Sequence, residues 1–282
     1  MIKAVLHIGL PKTATTTLQN ILKLDDRINF IKTRKFCTTE YYTDGIYLPE
    51  NDLPVVFSEE NTVVRHPHHL PLDNILNNLK NTFYNYEIHI VVTIREQFSL
   101  LLSRYKHGIT YLNGCKLLIE EWLSTEEGLD YIGLCHFNNL YLQLSKYFDK
   151  DKIHFIPFEL LFEKNNKYLE EFYKHIGISP KVDAQNKISN NNMDDKVLFA
   201  IRKINKIKLG NLVPLLRRIE NKIVKEILKS TKTMLPEKVI EFPKNELTLK
   251  LEKMFRQENY SLLEKIKDPS LLYKYKYLIN EN

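Results

Sequence analysis

The sequence predicts an α/β fold: a parallel sheet with helices on both faces and a mostly helical C-terminal cap. Three observations carry this. Short β-branched apolar runs alternate with segments of helical character, the pattern of strands joined by crossover helices. The run Ile-His-Ile-Val-Val-Thr-Ile at 88–94 is rich in β-branched residues over its whole length, as suits a parallel strand buried on both faces. A strand ending at Ile8 passes through a tight turn holding Gly9, Leu10, Pro11 and Lys12. Hydroxyl residues then open a helix, Thr13-Ala14-Thr15-Thr16-Thr17.

Along the chain, strands are expected at Val5–Ile8, Val55–Ser58, Ile88–Ile94 and Ile153–Pro157, with a short one near Asn29–Ile31. The first helix, Thr15–Leu24, is amphipathic through Leu18, Ile21 and Leu22. Further helices are expected over Leu72–Asn85, Gln97–Tyr111, Ile119–Leu123, Tyr131–Phe148 and Tyr168–Ile176. Three more fall within Asp194–Lys208, Val213–Ser230 and Asn245–Lys265. Pro214 and Pro236 punctuate this last part, so residues 190–282 read as a helical cap on one domain spanning 1–282. No internal repeat is visible.

The bulk numbers agree with a catalytic domain. A chain of 282 residues with 43% hydrophobic and 11% aromatic content can bury a large core. No apolar stretch reaches the length of a membrane span, and no charged-then-apolar leader opens the chain, so a cytoplasmic location is expected. Cys37, Cys115 and Cys135 form no motif and fit free thiols in a reducing compartment. Charge is uneven: residues 1–180 hold 19 Lys+Arg against 22 Asp+Glu, and residues 181–282 hold 22 against 13. The basic end has the sign that draws an acidic substrate, or peripheral contact with an anionic membrane surface, although Lys-rich solvated helix faces account for most such lysines. No nucleic-acid-binding signature is present.

The segment from Gly9 to Thr17 is a phosphate cradle by its parts: backbone N–H groups at a helix start, the helix dipole and one Lys all face the same point. A Walker A loop would need Gly, four residues, then Gly-Lys-Ser/Thr, and the second Gly is missing here. The variant Pro11-Lys12-Thr13-Ala14-Thr15-Thr16 resembles instead the first signature of sulfotransferases that use 3′-phosphoadenosine 5′-phosphosulfate (PAPS). The nearest branch is the short bacterial carbohydrate-type members. Ala14 departs from the family's usual Gly; it can serve there with a negative φ.

A second signature of that family is an Arg at a strand end and a Ser eight residues on in the next helix. Arg95 and Ser103 match it, after the buried run 88–94. The resemblance implies that this pair holds the 3′-phosphate, Arg through its planar fork and Ser through its hydroxyl. Lesser echoes are the strand and loop at Lys152–Leu161, where Glu159 caps or braces the loop, a late Asn- and Ser-bearing loop at Asn186–Ser189 and the helix Glu258–Leu263.

The family implies a P-loop-like fold and transfer of a sulfuryl group from PAPS, with no metal, to an acceptor hydroxyl. A sugar of a surface polysaccharide, lipopolysaccharide or glycolipid would be such an acceptor. By the same resemblance Lys12 contacts the bridging oxygen and sulfuryl group. Thr13, Ala14, Thr15, Thr16 and Thr17 hold the 5′-phosphate, and Lys187 and Ser189 lie in the loop closing over the cofactor. The general base falls on Glu60, with Glu59 as fallback because strand alternation sends neighbours to opposite faces. Phosphates nearby would raise the pKa of such a carboxylate. Family members acting on small phenols use a His, for which His66, His68 and His107 stand as candidates. The run Arg65-His66-Pro67-His68-His69 reads as a surface loop rather than a metal site. Two other readings stay open. A P-loop kinase or ATPase using Mg-ATP would need a Walker A loop and an acidic metal residue at a strand end, and 88–94 ends in Arg95. A non-catalytic nucleotide- or glycan-binding protein would bind without turnover. The acceptor and the oligomeric state leave no mark in the sequence.

Overall fold

The computed structural model describes residues 1–60, 62–64, 68–110, 114–163, 166–181, 194–206, 226 and 240–274. Its centre is one parallel sheet of five strands, in the order β2-β3-β1-β4-β5. These are β1 Lys3–Gly9, β2 Asn29–Ile31, β3 Val55–Glu59, β4 Glu87–Ile94 and β5 Ile153–Pro157. Each falls where an apolar run places it. Strand β1 is flanked on both sides, with Leu6 paired to Phe57 on β3 and to Ile90 on β4. Burial on two faces is why these runs are apolar throughout rather than alternating.

The helices are α1 Thr15–Leu22, α2 Glu40–Asp44, α3 Leu72–Thr82, α4 Gln97–Ile109, α5 Ile119–Leu123, α6 Glu126–Leu134, α7 Phe137–Leu144, α8 Lys167–Ile176, α9 Asp195–Lys206, α10 Glu246–Leu263 and α11 Ser270–Lys274. The single helix expected over Tyr131–Phe148 is two. Its chain breaks at Cys135 and His136, where the Phe137 N–H donates to the Cys135 carbonyl and His136 takes φ −81°, ψ 72°. Gly133 sits just before the break, and apolar spacing alone runs unbroken across it through Tyr131, Phe137, Leu140, Tyr141 and Leu144. The helix expected over Val213–Ser230 lies outside the described residues, Glu226 apart.

Packing divides the chain into two compact units. The first comprises 1–97, 133–188 and 252–282 and contains the whole sheet. On one face Val5, Val56, Val91 and Ile156 meet Leu18 and Leu22 of α1 and Leu169, Phe172 and Ile176 of α8. On the other, Phe57 meets Phe36 edge-on with ring centroids 4.9 Å apart, and Phe36 stacks on Phe83 at 6.0 Å. Each fully buried side chain of this size stabilises the fold by roughly 1.5–3 kcal/mol.

The second unit comprises 98–132 and 189–251, so it draws on the middle of the chain as well as on the C-terminal stretch. Arg202 of α9 donates to the Tyr105 hydroxyl at 2.8 Å, and that hydroxyl donates to the Leu117 carbonyl at 2.8 Å. Asp195 binds Lys106 at 2.6 Å and accepts the Ile240 N–H. Among the described residues no helix is long and apolar enough to cross a membrane. All three cysteines are free thiols.

Candidate active site

In an open parallel sheet, ligands bind beyond the carboxyl ends of the strands, where connections leave in opposite directions. Here that point lies between β1 and β4. From β1 the chain runs through α1 toward the β2 edge, and from β4 it goes to β5 on the far side. Lys12 follows β1 and Arg95 follows β4, so both flank this point.

The β1–α1 turn is built by close packing. A Cβ on Gly9 would collide with the Thr15 hydroxyl and crowd the His7 ring, so only Gly lets α1 start this near the strand end. The Thr13 hydroxyl donates to the Leu10 carbonyl at 2.5 Å and lies 3.4 Å from the Thr15 hydroxyl. Thr13 and Thr15 are buried, so their hydroxyls brace the turn from inside, whereas Thr16 is exposed and Thr17 and Ala14 are half-buried.

Lys12 and Ala14 both have left-handed backbone, with φ of 68° and 56°. This differs from the negative φ expected of Ala14: the residue has changed from the family's Gly, but the backbone has kept a glycine conformation. Holding a Cβ there costs about 1–2 kcal/mol. Strain of this kind persists where surrounding structure imposes it, and it clusters at ligand clamps. Left-handed residues within a turn aim backbone N–H groups into a common hollow that suits anions. Ala14 is also the N-cap of α1, and no side chain caps it. The first N–H groups of a helix have no partner within the helix, so they face the same hollow.

Two charged groups meet this turn. The Glu60 carboxylate, just past β3, accepts the Lys12 backbone N–H, with the Lys12 ammonium also acting on it. Burial is the largest influence on Glu60 and raises its pKa; the Lys12 contacts pull the other way, and Glu59 adds like charge. Arg95 donates from Nη1 to the Lys12 carbonyl at 3.2 Å, and its guanidinium carbon lies 4.7 Å from the Phe158 ring centroid. Lys12 is thus held at its N–H by Glu60 and at its carbonyl by Arg95. Glu159 accepts the Glu96 N–H at 2.9 Å, so it braces the start of α4.

Glu59 ends β3 nearly fully buried, with its Oε1 3.8 Å from Arg34 Nε and its carbonyl accepting the Thr62 hydroxyl. Glu60 lies just past the strand end. Ser103 lies two turns along α4, on the stretch belonging to the second unit. His107 is near the end of that helix, and His68 is exposed. Lys187, Ser189 and His66 lie outside the described residues.

Beneath the turn runs a buried polar chain that sequence reading missed. His7 Nδ1 is 2.8 Å from the Ser58 hydroxyl, and His7 Nε2 is 2.8 Å from the Thr93 hydroxyl, which in turn is 2.8 Å from the Tyr168 hydroxyl. Gln19 donates to the Ser58 carbonyl and hydroxyl, both at 3.2 Å. Burial holds His7 neutral, its pKa lowered to about 3. The chain links β3, β1, β4, α1 and α8, and so fixes the strand ends from which the turn and Arg95 project. The available signal was a polar residue inside each of three otherwise apolar strands.

No protein-family model matches this chain, and no curated protein matches it in sequence. Among solved structures it is similar to a sulfotransferase from Alicyclobacillus acidocaldarius, with 11% identity, a TM-score of 0.48 and coverage of 85% of this chain and 98% of that one. It is also similar to the sulfotransferase domain of the curacin biosynthetic pathway, with 10% identity, a TM-score of 0.46 and coverage of 90% and 97%. A third is the mouse sulfotransferase SULT7A1 complexed with PAP, with 12% identity, a TM-score of 0.40 and coverage of 89% and 88%.

Proposed function

We propose that the chain is a sulfotransferase that moves a sulfuryl group from PAPS to an acceptor hydroxyl, most naturally on a sugar of a surface polysaccharide, lipopolysaccharide or glycolipid. The observation that carries this reading is the β1–α1 turn. It has left-handed backbone at Lys12 and Ala14, an uncapped helix start, and a carboxylate already drawn to one of its N–H groups. An anion is what such a hollow binds, and the residues fit a phosphate there.

In this reading the bound donor supplies an activated sulfuryl group beside a phosphate leaving group. The N–H groups at the α1 start and the Thr16 hydroxyl orient the 5′-phosphate. Lys12 sets a positive charge where the leaving oxygen gains negative charge, in a pocket whose donors are already in place. Arg95, steadied by Phe158, is the candidate for holding the 3′-phosphate through its planar guanidinium, and Ser103 is a second candidate for the same phosphate. Glu60 takes the acceptor's proton, since a raised pKa brings a carboxylate closer to that task at neutral pH.

Transfer of labelled sulfuryl to a panel of glycans, with Lys12→Ala alongside the parent chain, tests this. Loss of a group that stabilises the leaving charge should lower turnover by roughly a hundredfold or more while leaving the circular dichroism unchanged. Near-parental turnover in Lys12→Ala would overturn the mechanism.

A further inference from the structure

The amino-terminal side of the sheet carries a cluster with no part in the chemistry above. His89 on β4, His154 on β5 and His175 on α8 come together on the face covered by α8. Each can present one ring nitrogen so that the three nitrogens lie within 4.8 Å of one another. Strand rise of about 3.3 Å per residue puts His89 about 20 Å from Arg95 along the chain direction. The cluster is therefore separate from the turn holding Lys12.

We infer that His89, His154 and His175 form a site for a divalent first-row transition ion of the zinc type, pinning the end of α8 to β4 and β5. Imidazole is a preferred ligand of such ions, and three imidazoles leave a fourth position for water. His89 Nδ1 and His154 Nε2 are 3.2 Å apart. Two nitrogens bound to one tetrahedral zinc at about 2.0–2.1 Å are separated by about 3.3 Å, so this pair already has the required spacing. The His175 ring stacks on His154 at 3.8 Å between centroids, tilted by 20°, and must turn to bring its nitrogen in. Closing from 4.8 Å to the tetrahedral edge moves a ligand atom by at most about 1.5 Å.

A further observation favours an ion. The second ring nitrogen of His89, Nε2, faces the Glu87 carboxylate at 3.4 Å, the arrangement in which a ligating His passes its second N–H to a carboxylate. The charges facing the cluster are Glu87, Lys3, Lys152, Lys174 and Lys267. Lys152 is engaged with Glu87 at 3.1 Å, and both are partly exposed, so solvent screens their effect on an ion.

The test uses the full chain freed of metal by chelator and titrated with Zn²⁺ by calorimetry, with Co²⁺ as an optical probe. The expected result is one ion per chain, a raised Tm and the intense visible absorption of tetrahedral Co²⁺. Binding should weaken roughly a hundredfold or more in His154→Asn and in His175→Asn, and roughly tenfold in Glu87→Gln. Circular dichroism and Tm of the metal-free variants check that they fold; His89→Asn stands in if either does not. No binding by the parent chain, or binding that survives in folded variants, would overturn the site.

Discussion

Replacing Ala14 by Gly should stabilise this protein, against the usual direction for a glycine introduced at a helix. Ala14 holds φ 56°, ψ 25° as the N-cap of α1. A Cβ in that conformation costs about 1–2 kcal/mol. Removing it returns that energy, less the extra freedom glycine gives the unfolded chain, about 0.4–1 kcal/mol. The expected net gain is about 0.5–1 kcal/mol, and N-cap positions tolerate Gly better than Ala in any case. Urea unfolding at constant m reads the difference. Ala14→Val should go the other way, since a β-branched residue is a stronger outlier at positive φ. If Ala14→Gly instead lost about 1 kcal/mol, the result for a helix interior, the left-handed turn would be wrong. The argument for an anion hollow at Lys12 and Ala14 would then fall with it.

Other expectations follow from the titrating groups. Glu60 has a folded pKa above its unfolded one, so the native state holds that proton more tightly and stability falls as pH rises through this window. Glu60→Gln should remove that opposing contribution, so that stability by urea unfolding gains more from pH 4 to pH 7 than in the parent chain, and should reduce transfer by about a hundredfold or more; an unchanged difference would show that Glu60 does not contribute in this way. His7, His154 and His175 have folded pKa values of about 3, 4 and 3 against 6.5 unfolded, so their contribution is present above 6.5 and is lost as pH drops toward 4. Asp25, held at about 2 by its Arg27 hydrogen bonds, keeps its full contribution above 3.8 and loses it only as pH falls further, so the loss between 6.5 and 4 belongs to the histidines. Stability measured by urea at half-unit pH steps should slope downward across that range, and a flat profile would contradict the burial of His7.

Much of the scaffold was legible because its cause is local. All five strands are short apolar runs, and a parallel sheet buries both faces, so composition alone marks them. The turn after β1 was legible from Gly9, Lys12 and the threonines, since few residue types suit that geometry. What stayed hidden depends on contacts distant in sequence. Nothing near Tyr131–Phe148 except Gly133 signals the break at His136, because both helices use the same apolar period. The positive φ of Ala14 leaves no mark in the sequence, since a residue with a Cβ ordinarily avoids it. Glu60 and Arg95 on either side of Lys12, and the chain from Ser58 to Tyr168, join residues 48 to 86 positions apart. His89, His154 and His175 have no spacing motif, as they arrive from two strands and a helix.

The most direct test of the central claim is a thermal-shift titration of the full chain with 3′,5′-adenosine bisphosphate, beside ATP and ADP with and without Mg²⁺. Ligand that binds the folded form raises Tm, by an amount that grows with the logarithm of its concentration over Kd. The account predicts a strong rise with the bisphosphate, independent of Mg²⁺, that weakens in Arg95→Ala by roughly 2 kcal/mol or more for a lost charge-assisted contact. A rise with Mg-ATP and none with the bisphosphate would contradict it and make the β1–α1 turn the site of a kinase or ATPase.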